Sequence, residues 1–148
     1  MCWTRRQAVP CDPSGATVGR HAVTAALAET LHSAGSEDRA VDQELVYEAG
    51  IVATELLSNA ATACRSRIVL RLEVHHGSIR IEVYDDGPGA PVERRVSADE
   101  VGGRGLRIVD SLSTSWGTIP RPLGKWVWSE MSVASTSTAH LDCTYGRR

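Results

Sequence analysis

The chain has 148 residues, 42% of them hydrophobic and 23% charged, which suits one globular domain with a single core. A net charge of −2 and basic residues dispersed along the chain give no electrostatic reason to expect nucleic acid or an anionic membrane as partner. No stretch approaches the roughly 20 apolar residues of a membrane helix, and no apolar signal-peptide core follows Met1-Cys2-Trp3-Thr4-Arg5-Arg6, so a cytoplasmic location is expected.

Residues 1–13 read as a short edge strand and a helix-initiating turn, with Ser14 a candidate N-cap. From about 15 to 34, Val18, Ala22, Ala25, Ala26, Ala28 and Leu31 form an apolar stripe that predicts a helix stopped by Gly35. Ser36-Glu37-Asp38 restarts the chain. Val41, Leu45, Ala49, Val52, Leu56 and Ala60 then recur every three or four residues, which predicts a second helix through about Cys64. Gly50 is its one internal breaker, at a cost of roughly 1 kcal/mol relative to alanine.

Ile68–Val74 and Ile79–Tyr84 alternate as two strands of a hairpin around His75-His76-Gly77-Ser78. Residues 85–102 lack periodicity and read as a long functional loop. Gly105–Leu112 is a short helix, and Ser115–Ile119 and Lys125–Met131 are the last two strands. Residues 1–133 therefore form one domain, and the polar tail 134–148 is expected to be poorly ordered. The expected class is α+β: a two-layer sandwich with a mixed, mostly antiparallel sheet covered on one face by about three helices.

Three segments carry candidate chemistry. Glu55 and Asn59, four apart on a helix, share one face. Asn59 offers Mg²⁺ a neutral carbonyl oxygen, and Glu55 can accept a proton from an attacking hydroxyl or water; taken alone, the pair reads more readily as an ordinary polar helix edge. Asp85-Asp86-Gly87-Pro88-Gly89 follows a strand, where a carboxylate can accept from the exocyclic amine of adenine and missing side chains let a flat base lie close. The same residues alone would make an acidic turn. Gly102-Gly103-Arg104-Gly105-Leu106 opens a helix whose free N–H groups and partial positive charge suit phosphate. It is neither a Walker A loop, since Gly124-Lys125 is followed by Trp126, nor a Rossmann fingerprint, since no first βαβ strand precedes it.

The order of these segments resembles the GHKL ATPase superfamily of gyrase, Hsp90, histidine kinases and MutL, whose domain is the Bergerat fold. Glu55-Leu56-Leu57-Ser58-Asn59-Ala60 looks like its N box, Asp85-Asp86-Gly87-Pro88-Gly89 its G1 box, and Gly103-Arg104-Gly105-Leu106 its G2 box. The short lid, Gly-Arg-Gly-Leu-Arg-Ile-Val and Gly124-Lys125-Trp126-Val127-Trp128 look most like anti-sigma factor serine kinases, of the kind common in actinobacterial regulatory proteins. The resemblance implies ATP and Mg²⁺ as cofactors, Asn59 on Mg²⁺, Glu55 as catalytic base and Asp85 on adenine. It places Gly87, Gly89, Gly103, Arg104, Gly105 and Leu106 around the base and phosphates. It also implies a sigma factor and a STAS-type anti-anti-sigma protein as partners, and a homodimer is in keeping with it.

Two positions depart from the family pattern: Ala63 stands where a basic residue or His is frequent, and the lid from 90 to 101 is only about a dozen residues. The alternative function is a non-catalytic ATP-binding module that regulates by contact; retention of Glu55 favours the kinase. The catalytic half of a two-component histidine kinase needs a His-bearing helix pair, and only about 13 residues precede the first helix. Cys2, Cys11, Cys64 and Cys143 contain no CxxC pair and lie at no zinc-site spacing with His75 and His76, so they are expected as reduced thiols.

Overall fold

The computed structural model describes residues 2–33, 35, 39–75, 77–88 and 104–133. In chain order these form β1 (Trp3–Val9), α1 (Ser14–Ser33), α2 (Arg39–Ala63), β2 (Ile68–His75), β3 (Ser78–Asp85), α3 (Arg104–Leu112), β4 (Ser115–Arg121) and β5 (Gly124–Ser132). The strands make one sheet in the order β1-β2-β3-β5-β4, and every neighbouring pair is antiparallel. Helices packed on such a sheet give the α+β sandwich expected from the pattern. The lid from 90 to 101 and the tail from 134 lie outside the described residues.

Period-two alternation decides which face of the sheet meets the helices. Leu70 and Leu72 on β2 pair with Val83 and Ile81 on β3, and all four are buried in one cluster with Leu27 of α1 and Leu56 and Leu57 of α2. The three- to four-residue stripe on α2 is therefore the core seam. Truncating Leu57, which is fully buried, to alanine is expected to cost about 2–5 kcal/mol.

The opposite sheet face carries charge. Glu82 is only 2% exposed there. The guanidinium groups of Arg71 and Arg80 both pair with it, which is what a buried carboxylate requires. Each arginine also stacks on an indole of β5, Arg71 at 5.0 Å from Trp126 and Arg80 at 4.1 Å from Trp128. Arginine stems and aromatic rings thus shield this face where no described helix covers it.

Two local expectations are corrected. Asp12, not Ser14, caps α1: its carboxylate accepts the Ser14 amide N–H at 2.7 Å and the Ser14 hydroxyl. Pro13 follows at the position where a helix start needs no amide N–H. The cysteines are not all thiols, since Cys11 and Cys64 form a disulfide across 53 residues of chain. The reason lies in the strand register. Val9 at the end of β1 pairs with Ile68 at the start of β2, so residues just after one strand and just before the other come together. No helix among the described residues is long and apolar enough to cross a membrane.

Candidate functional site

The end of α2, the end of β3, the start of α3 and the start of β5 converge at one end of the sheet. Glu55 and Asn59 sit one turn apart on α2, both half-buried. Neither side chain makes a hydrogen bond among the described residues, which leaves carboxylate and amide capacity there for a ligand, a metal or water. The start of α3 comes up against Glu55: a Cβ added to Gly105 would lie 2.5 Å from the Glu55 Oε2. The Glu55 carboxylate and the first turn of α3 are thus in direct apposition. Leu106, next in the chain, is buried in the core and holds that turn down. Further along α3, Asp110 accepts the Trp116 indole N–H at 2.8 Å, which ties the helix to β4.

Asp85 closes β3 and is 1% exposed. Its Oδ1 accepts the Gly87 amide N–H at 3.0 Å, and the Lys125 ammonium lies 3.1 Å from Oδ1 and 3.0 Å from Oδ2. A buried carboxylate so fixed still has an acceptor position on Oδ2, because an ionised carboxylate offers about four.

Gly87 is small for a reason the sequence did not disclose. A Cβ there would collide with the carbonyl oxygen of Ala63, the last residue of α2. Its missing side chain is required by the backbone at the end of α2. Asp86 completes this joint: its carboxylate accepts the amide N–H groups of Arg65, Ser66 and Arg67 at 2.8, 3.0 and 3.0 Å, and the Ser66 hydroxyl at 2.6 Å. The Ser66 hydroxyl first, then these amides, hold the Asp86 carboxyl well below the usual carboxylate range.

A model of the histidine kinase-like ATPase domain matches residues 19–130. This chain belongs to the histidine kinase-like ATPase family. Among solved structures it is similar to the histidine kinase domain of the Erythrobacter litoralis EL346 blue-light activated histidine kinase. The identity is 29% over 63% of this chain and 48% of that one, with a TM-score of 0.48. The chain therefore spans about half the length of that structure. No curated protein matches.

For an ATPase domain of this family, the donor set among the described residues fits nucleotide and Mg²⁺. Asp85 is a buried, oriented carboxylate with an unused acceptor position. Asn59 is an amide with no side-chain hydrogen bond among the described residues. Gly105 leaves α3 bare where it faces Glu55. Gly89 and Gly103 lie outside the described residues, and Arg104 is the first residue of α3, without a described side chain. A separate cleft of about 600 Å³ borders Arg65, Arg67, Tyr84, Asp86 and Arg121, and none of Glu55, Asn59 or Asp85 lines it.

The residue that sequence reasoning missed in the ATPase domain is Lys125. It stands 40 positions from Asp85 in the chain, and only the β3–β5 register, Asp85 opposite Lys125, brings them together.

Proposed function

We propose that this ATPase domain is a Mg·ATP-dependent regulatory kinase of the anti-sigma factor type. In this reading it phosphorylates a serine on a STAS-type anti-anti-sigma protein and sequesters a sigma factor when that partner is released. The observation that carries the enzymatic reading is the Glu55 carboxylate, set against the first turn of α3 and without a hydrogen-bond partner among the described residues. A pure binder has use for Asn59 and Asp85 but none for a base at Glu55.

The roles follow from the chemistry of each group. Asp85 accepts from the adenine amine, and Asn59 holds Mg²⁺ through its carbonyl oxygen. By the family resemblance, Gly87, Gly89, Gly103, Arg104, Gly105 and Leu106 are assigned to base and phosphates, and the amides at the start of α3 would serve phosphate. Mg²⁺ held by Asn59 would supply neutralisation of phosphate charge. Glu55 takes the proton of the partner's serine hydroxyl as its oxygen bonds to the γ-phosphorus, the bond to the bridging oxygen breaks, and ADP leaves. Catalysis of this kind is mainly positioning and charge stabilisation.

The test is transfer of labelled γ-phosphate to a STAS-domain partner. Glu55→Ala is expected to bind ATP as wild type does and to form no phosphoserine. Unimpaired transfer by Glu55→Ala would show that another group is the base. Wild type that binds ATP but phosphorylates no partner would favour the contact-only ATP-binding module.

A further inference from the structure

The Asp85–Lys125 pair is chemically more than a buried ion pair. The Lys125 side chain is 20% exposed and that of Asp85 is 2% exposed, so the lysine is the member nearer open space. Its ammonium has three N–H donors. Its hydrogen-bonding partners among the described residues are the two oxygens of Asp85, which leaves one donor unused. Asp85 in turn keeps an acceptor position on Oδ2 after binding the Gly87 amide and the ammonium. An acceptor and a donor are thereby held side by side, about 3 Å apart, at one end of the sheet.

Both residues belong to the helix-facing side of the sheet. Asp85 continues the row Ile79, Ile81 and Val83, and Lys125 is its direct partner on β5. That is the side on which α2 carries Glu55 and Asn59. Lys125 is locked there because Gly124 lies against the Asp85 carbonyl, which fixes where β5 begins.

We propose that Lys125 is a second base-reading residue, donating to N1 of adenine while Asp85 accepts from the adjacent exocyclic amine. This rests on the reading of the site as an ATP pocket. Adenine presents a donor and an acceptor next to each other on that edge, the complement of the pair the strands hold. A lone carboxylate reads only the amine; the added ammonium makes N1 a recognised atom as well.

The experiment compares ATP with 1-deaza-ATP, which keeps the amine and lacks N1, by calorimetric titration in the presence of Mg²⁺. Wild type is expected to bind 1-deaza-ATP on the order of tenfold more weakly than ATP, the usual scale for losing a hydrogen bond to a charged group. Lys125→Met is expected to bind both nucleotides equally, at about the affinity wild type shows for 1-deaza-ATP. Lys125→Arg, which keeps a charged donor, is expected to restore part of the preference. Equal binding of the two nucleotides by wild type overturns the proposal without needing any variant. Loss of affinity for both nucleotides by the same factor in Lys125→Met also overturns it, and assigns Lys125 to holding Asp85 in place. No binding of either nucleotide to folded wild type removes the ATP reading itself, and the proposal with it.

Discussion

The sulfur atoms of Cys11 and Cys64 join the turn after β1 to the residue that follows α2, directly before the amides that bind Asp86. Closing a loop of 53 residues removes chain entropy from the unfolded state, worth about 4 kcal/mol in the loop-entropy picture. The Cys11→Ser/Cys64→Ser variant is therefore expected to unfold at clearly lower urea than the oxidised wild type. Wild type titrated under a dithiol reductant should likewise unfold at lower urea than the oxidised protein. An unchanged midpoint in both would mean the cross-link adds nothing to the fold.

Gly87 and Gly105 are predicted to respond differently to the same substitution. A Cβ at Gly87 meets backbone, the Ala63 carbonyl, which cannot move without shifting the end of α2. Gly87→Ala should destabilise by about 1–3 kcal/mol in denaturant titrations. A Cβ at Gly105 meets only the far end of the Glu55 side chain. Gly105→Ala should keep or slightly raise stability, through helix propensity, while displacing Glu55 and impairing phosphate transfer. Equal stability losses at the two positions would contradict this contrast.

The Asp86 carboxyl gives stability a defined pH dependence. Because hydrogen bonds from Ser66 and the neighbouring amides lower its folded pKa, its contribution is complete above the unfolded aspartate value near 4 and is lost as pH falls below that. Asp12, held low by the Ser14 hydroxyl and amide, acts in the same direction. The gap in urea midpoint between wild type and Asp86→Asn should be widest near neutral pH and narrow between about pH 4 and about pH 2. A gap independent of pH would show that the charge of Asp86 is not what holds the joint.

Much of the fold was legible because burial imposes a period. The α2 stripe from Leu45 to Ala60 faces the sheet, and the alternation in β2 and β3 sorts Leu70, Leu72, Ile81 and Val83 to that same side. The order of the three motifs was legible for a different reason, since each is a local run of residues. What stayed hidden depends on register or on close approach between distant segments. Asp12 and Ser14 are both good caps two positions apart, and only the turn geometry selects Asp12. The pairing of Val9 with Ile68 sets up the Cys11–Cys64 bond, and that of Asp85 with Lys125 skips over α3 and β4. The contact of Gly87 with Ala63 has no pattern in the sequence at all, because it is made between two backbones.

Asp85 is the residue on which adenine selectivity depends in this account. Asp85→Asn keeps an acceptor oxygen but loses the charge that Lys125 neutralises. It is expected to weaken ATP binding by on the order of tenfold or more and to erode the preference for ATP over GTP. Wild type with no preference between ATP and GTP would count directly against the role given to Asp85.

Binding of Mg·ATP is the claim on which every assigned role depends, and calorimetric titration of the folded wild-type chain with ATP, with and without Mg²⁺, measures it directly. Saturable heat is predicted below millimolar nucleotide, tighter with Mg²⁺ than without, and with the Mg²⁺ dependence lost in Asn59→Ala. Absence of any binding heat at millimolar ATP, in both conditions, would contradict the account.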